Sequence, residues 1–116
     1  MFGFDHAFRG LAFLLGTQEK ARIHAGATIM VIALGWFLRV GRSDWCWLVV
    51  AISMVWCAEA FNTAVERLAD RVTMERDPLI KQAKDLAAGA VLCAALGAAV
   101  IGLLVLGPPL WGWLRA

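Results

Sequence analysis

The 116-residue chain is short of charge, with 17% Asp, Glu, Lys and Arg, and it has no tyrosine, three prolines and three cysteines. Soluble domains carry about a quarter charged residues. So low a charge content beside 61% hydrophobic residues excludes a water-soluble globule. Cys46, Cys57 and Cys93 are odd in number, lack C-x-x-C spacing and sit inside apolar runs, which excludes a disulfide framework and a zinc knuckle. The formal net charge is only +2 and the 11 basic residues form no block, so nucleic acid is excluded as a partner. A G-x-x-x-x-G-K-[ST] loop is missing, so any bound phosphate must be held by side chains and a metal ion. There is no internal repeat or low-complexity stretch, and residues 1–116 are expected to form one domain.

What the chain does have is a succession of apolar runs. Between Phe2 and Leu15 the residues Phe4, Ala7, Phe8, Leu11, Leu14 and Leu15 recur at helical spacing, broken by Asp5, His6 and Arg9. This predicts an amphipathic surface helix over 2–16, too short and too charged to cross a bilayer and without the cleavage site of a signal peptide. Ile23 to Leu38 contains no Asp, Glu, Lys or Arg, and flanking Arg22 and Arg39 can snorkel to complete a span over 23–40. After the polar turn Gly41–Asp44 a second run starts at Trp45 and passes through Glu59 and Asn62, predicting a span over 45–68. Arg67 to Asp85 is mixed in charge and must lie in water or headgroups. Leu86 to Gly107 is uncharged and predicts a third span over 86–107, ended by Pro108–Pro109. Trp45, Trp47, Trp111 and Trp113 stand where runs begin or end, as an interfacial belt does.

Three spans put the N-terminus and the 67–85 loop on one side of the membrane. Arg9, Lys20, Arg22, Arg67, Arg71, Arg76, Lys81 and Lys84 fall on that side, against Arg39, Arg42 and Arg115 on the other. The positive-inside rule makes the first side cytoplasmic. The expected fold class is therefore an all-α membrane protein with a surface helix and three transmembrane helices.

Glu59, Asn62, Glu66 and Asp70 stand at i, i+3, i+7 and i+11, one narrow stripe of the second span. A carboxylate at the centre of a membrane helix costs roughly 2.5–3.5 kcal/mol by translocon scales and marks a functional site by default. In the functional reading, Glu66 and Asp70 hold a hard divalent cation such as Mg²⁺ through oxygen ligands. Glu59, deeper and less solvated, is then a general base for a lipid hydroxyl. In the plainer reading, Glu59 pairs with a basic residue on a neighbouring helix while Glu66 and Asp70 solvate the helix end. Lys84 and Asp85 at the start of the third span are either interface anchors or a cation for nucleotide phosphates beside an anion for metal or ribose.

The stretches AEAFNTAVERLAD (Ala58 to Asp70) and PLIKQAKDLAAGAVL (Pro78 to Leu92), with RIH (Arg22 to His24) upstream, closely resemble the prokaryotic diacylglycerol kinase and undecaprenol kinase family. The resemblance covers nearly the whole chain. It implies a homotrimer in the bacterial inner membrane that transfers the γ-phosphate of ATP, with Mg²⁺, to a lipid alcohol. By resemblance Glu59 is the catalytic base, Glu66 a metal ligand and Asn62 a polar residue of the same site. Lys84 and Asp85 resemble the nucleotide-binding pair, and Glu75 and Asp77 fall where the family's cytoplasmic loop touches the nucleotide. RIH and AAGAVL look more like the undecaprenol kinase branch.

One position departs from the family. Members often read T-E-x-x-F-R or N-E-x-x-F-R before the first span, with the Glu a second metal ligand, whereas Thr17–Arg22 here puts Gln18 at that place and Glu19 one residue on. Either the Gln18 carbonyl coordinates the metal, or Glu19 reaches it, or the metal site is poorer. His6 and His24 read as interfacial residues, with no metal assigned to His24. Two other readings stand beside a lipid kinase: the family fold with altered or lost activity, and a non-enzymatic small membrane protein or transporter subunit using Glu59 as a relay.

Overall fold

The structure is a computed structural model that describes residues 3–116; Phe2, the first residue of the expected surface helix, lies outside the described residues. Four helices follow one another: α1 (Gly3–Thr17), α2 (Glu19–Phe37), α3 (Arg42–Val72) and α4 (Pro78–Arg115). The all-helical expectation holds. The helices run further into the polar segments than hydropathy alone indicates.

Only Leu14 of α1 is buried, while Phe4, Phe8, Leu11, Phe13 and Leu15 are exposed. An apolar face left uncovered by protein is what a helix lying in a membrane interface requires. Gln18 takes an extended conformation and separates α1 from α2. The Arg22 guanidinium reaches back and donates to the carbonyls of Leu15 (3.1 Å) and Gly16 (3.3 Å), satisfying acceptors that the end of α1 would leave open. The Arg67 guanidinium stacks 4.9 Å above the Phe13 ring, tying α1 to α3.

Between α2 and α3 the connection is Leu38–Gly41, three residues earlier than the expected turn, so Arg42, Ser43 and Asp44 are helical. The α2 terminus closes with Val40 N–H donating to the Gly35 carbonyl (3.2 Å) and Arg39 N–H to that of Trp36 (3.3 Å). This is a Schellman closure. It sets Arg39 at φ 56°, a left-handed conformation that favours glycine.

The interior is thin. Leu48, Val105 and Leu106 form the buried cluster, with Val31, Leu34, Leu38, Val40, Trp45 and Ile101 against it, at the end of the bundle away from the α3–α4 loop. Gly35 is required there, since a Cβ on it would stand 2.8 Å from Cη2 of the Trp45 ring. Gly35→Val is expected to destabilise the fold by about 1–3 kcal/mol through overpacking. Thermal unfolding in detergent checks this, with Gly26→Val, which meets open space, as the silent control.

Large apolar side chains such as Ile29, Met30, Trp36, Phe61, Leu92, Leu96, Leu103 and Leu104 remain exposed along the helices. Two helices, α3 and α4, are long and apolar enough to cross a membrane, with mean hydropathies of 1.7 and 2.6 over their best stretches. At 1.5 Å per residue their 31 and 38 residues exceed a hydrocarbon core of roughly 30 Å. Each is therefore longer than such a core. α2, at 19 residues, carries Lys20 and Arg22 in its first turns, leaving a shorter apolar length than the other two.

Two further boundaries correct the sequence reading. The charged 67–85 stretch is mostly helix, with only Thr73–Asp77 as loop. Asp77 ends that loop as N-cap of α4, its Oδ1 accepting from Leu79 N–H (2.9 Å) and Ile80 N–H (3.2 Å), and Pro78 occupies the first helical turn. Pro108–Pro109 does not end α4, which continues to Arg115. Prolines inside membrane helices are tolerated where water or side chains satisfy the freed carbonyls. Beyond them the helix gains an edge-to-face contact of Trp113 with Phe37 (centroids 5.3 Å apart).

Candidate active site

The polar stripe of α3 is more buried than its composition demands. Glu59 is 2% exposed, Asn62 6% and Thr63 5%, beside neighbours that are otherwise apolar. Helical spacing puts Glu59 and Thr63 on one face and Asn62 and Glu66 beside them. Asn62 Nδ2 donates to Glu66 Oε1 at 2.9 Å, turning the Asn62 carbonyl oxygen away from that carboxylate.

Among the described residues three buried oxygens have no hydrogen-bond partner: Glu59 Oε2, Asn62 Oδ1 and Thr63 Oγ1. Buried polar atoms are nearly always paired, and each orphan costs about 1–3 kcal/mol. Three within little more than one helical turn concentrate hard oxygen donors with unused hydrogen-bonding capacity at one place on α3.

Sequence reasoning missed two residues of this region. Thr63 follows Asn62 directly and stands four residues after Glu59, a spacing that already places it on the stripe. His24, read as an interfacial residue, has its Nε2 3.4 Å from Glu59 Oε2. That contact between α2 and α3 supplies the basic neighbour that the plainer reading of Glu59 required.

A second group of the expected residues gathers at the α3–α4 loop. Glu75, Asp77, Lys84 and Asp85 all line one open cleft of about 590 Å³, with Arg76, Pro78, Ile80 and Lys81. Within it Lys84 Nζ donates to Asp70 Oδ1 (2.6 Å) and Lys81 Nζ to Asp85 Oδ2 (2.7 Å). The hydrogen bond and charge of Asp85 raise the Lys81 amine above its ordinary value. Lys84 thus links the cleft to the lower end of the α3 stripe through Asp70. Asp77 has a structural task as well, capping α4.

The remaining expected residues stand apart in their contacts. Gln18 is the N-cap of α2 and its side chain makes no capping hydrogen bond; Glu19 is exposed in the first turn of that helix. Among the described residues no three His, Cys, Asp or Glu side chains gather closely enough to hold a metal ion by themselves. Glu66, Asp70, Gln18 and Glu19 therefore form no ready-made cage.

A buried carboxylate beside unpartnered oxygens, about three helical turns from the Asp70–Lys84 contact at a charged open cleft, is what the comparisons with known proteins bear on. The sequence profile of prokaryotic diacylglycerol kinase matches residues 5–106, from α1 to near the end of the apolar part of α4. The chain belongs to the prokaryotic diacylglycerol kinase family. It is 36% identical over 107 residues to the undecaprenol kinase of Bacillus subtilis, covering 92% of this chain and 87% of that one. It is also 36% identical to the diacylglycerol kinase of Synechocystis, over 92% of this chain and 62% of the relative. The Escherichia coli K12 diacylglycerol kinase is 25% identical over 82% of this chain and 78% of its own. As a prokaryotic diacylglycerol kinase family member the chain is a lipid kinase and a bacterial membrane protein, and a kinase of this kind uses ATP as co-substrate.

Proposed function

We propose that this lipid kinase transfers the γ-phosphoryl group of ATP, with Mg²⁺, to the primary hydroxyl of a lipid alcohol, undecaprenol or diacylglycerol, at the cytoplasmic face of the inner membrane. The observation that carries the proposal is the 2% exposed Glu59 carboxylate, with an unpartnered oxygen, on the same helix face as Asn62 and Glu66. In the reaction the Glu59 carboxylate takes the hydroxyl proton, the lipid oxygen bonds to the γ-phosphorus, and the bond from that phosphorus to the β–γ bridging oxygen of ATP breaks, releasing ADP.

The donors at hand fit Mg²⁺. Asn62 Oδ1 is buried and accepts nothing, and Glu66 adds a half-buried carboxylate with an oxygen beyond the one Asn62 engages. Mg²⁺ is ordinarily held by one or two protein oxygens with phosphates and water completing the shell, so a three-carboxylate cage is not needed. When bound there it neutralises charge on the transferring phosphates. Asp70, Glu19 and Gln18 are proposed as supporting ligands. Contacts of α2 with α3 support Gln18 in that role: Thr28 meets Trp56 and His24 meets Glu59. Antiparallel register continued at that spacing brings Gln18 to the level of Glu66.

The loop cleft is proposed to take the nucleotide, with Lys84 exchanging Asp70 for a phosphate and Glu75, Asp77 and Asp85 flanking it. The proposed assembly has the N-terminus cytoplasmic, α2, α3 and α4 as spans and three protomers, since so thin a core leaves a polar site poorly enclosed.

Gln18→Glu is expected to lower the Mg²⁺ concentration for half-maximal rate about tenfold, by adding a charged ligand. A Mg²⁺ titration of both proteins checks it. Purified protein given γ-labelled ATP and Mg²⁺ with undecaprenol and diacylglycerol side by side tests the function. Label on a lipid supports it and names the better acceptor, whereas label only on inorganic phosphate, or no turnover, points to a changed or lost activity.

A further inference from the structure

The α2–α3 contact at His24 takes no part in the proton and phosphoryl transfers proposed for Glu59 and ATP. The His24 side chain is 24% exposed and forms, with Ala27, Thr28, Val31, Ala95 and Ala98, part of the wall of an apolar cavity of about 250 Å³ between α2, α3 and α4. Its backbone is fixed from both sides of the helix pair. Trp56 Nε1 donates to Thr28 Oγ1 (3.0 Å), and Thr28 Oγ1 donates to the His24 carbonyl (2.7 Å). Trp56 precedes Glu59 by three residues on the same face of α3, so the two helices are held in register at successive turns.

His24 Nε2 then stands 3.4 Å from Glu59 Oε2, an oxygen with no hydrogen-bond partner. A good N–H···O bond is about 2.9 Å, so a ring movement of roughly half an ångström closes it. A lysine here would neutralise the carboxylate and spoil it as a base. A neutral imidazole donates one hydrogen bond and leaves the negative charge where it is.

We propose that His24 is the positioning residue for Glu59: its Nε2–H occupies Oε2, fixes the carboxylate rotamer, and leaves the other carboxylate oxygen facing the lipid hydroxyl. The catalytic half of this rests on Glu59 being the base. The contact itself does not.

Two measurements test the two halves. In protein labelled with ¹⁵N at histidine only His6 and His24 give ring signals, since the chain has two histidines. Glu59→Gln is expected to shift the Nε2 resonance of His24 and leave that of His6 in place; an unmoved His24 signal overturns the contact, whether or not the protein is a kinase. In the transfer assay His24→Phe, which keeps a ring and loses the donor, is expected to lower kcat about 10²-fold with KM for ATP unchanged, the scale of a misplaced reacting group. His24→Gln, whose amide nitrogen reaches the same place, is expected to recover at least tenfold of that loss. Equal kcat for wild type and His24→Phe, or a Gln variant no better than Phe, overturns the positioning role. Absence of transfer by the wild type overturns that role together with the proposed function, and the ¹⁵N shift tells the two failures apart.

Discussion

Glu59→Gln is expected to lower kcat for lipid phosphorylation by about 10²–10⁴-fold while ATP binding persists, the range that a positioned general base contributes. Gln matches the carboxylate in shape, so packing of the 2% exposed side chain changes little and the effect reports chemistry. The fold is expected to tolerate the change well. Glu59 Oε2 stands 3.4 Å from His24 Nε2, and the amide oxygen of Gln can keep that contact, so neutralising the carboxylate breaks no tight network. Rapid-quench measurement of labelled lipid, with nucleotide binding followed in parallel, separates the outcomes. A kcat within a few-fold of wild type means that another group takes the proton.

Glu66→Gln is expected to act differently, raising the Mg²⁺ required for half-maximal rate by about 10–100-fold, as loss of a ligand or of its immediate support does. The substitution also disturbs Asn62, whose Nδ2 donates to Glu66 Oε1 at 2.9 Å. A neutral amide still accepts that bond, so the buried Asn62 side chain keeps its partner and the protein stays folded. The lost charge is then felt mainly by the cation and the phosphates. Titration of Mg²⁺ at saturating ATP checks this, and an unchanged midpoint means that Glu66 holds Asn62 and nothing more. Asp70→Asn is expected to have a smaller effect on Mg²⁺, because Asp70 is already engaged by Lys84 at 2.6 Å on the solvent side.

The stripe Glu59, Asn62, Glu66 and Asp70 was legible because it lies on one helix, and a 3.6-residue period carries its geometry without knowledge of any neighbour. Thr63 obeys the same period and was readable, though a lone threonine beside an asparagine carries little signal. His24 was not readable. Its meaning depends on the register of α2 against α3, fixed by the Trp56–Thr28 hydrogen bond and by small residues such as Ala21, fully buried at the same face. The adjacent Lys84 and Asp85 illustrate the same limit. They look like a pair in sequence, yet each is bonded elsewhere, Lys84 across the loop to Asp70 and Asp85 one turn back to Lys81.

The boundaries misread from sequence share a cause. Hydropathy reports where lipid ends, and helices α3 and α4 continue past that point into charged segments, where Asp77 and Pro78 rather than the loss of apolar residues decide the start of α4. Pro108–Pro109 reads as a stop by the rules of soluble helices, while the contact of Trp113 with Phe37 favours continuing to Arg115.

The proposed reaction is a single direct transfer from ATP to the lipid oxygen, with Glu59 removing the proton and no protein side chain carrying the phosphoryl group. Its most direct measurement is the stereochemical course at phosphorus, using ATP made chiral at the γ-position and a lipid alcohol acceptor. One in-line displacement predicts inversion. Retention, with label trapped on a side chain such as His24 or Glu59, would contradict the account.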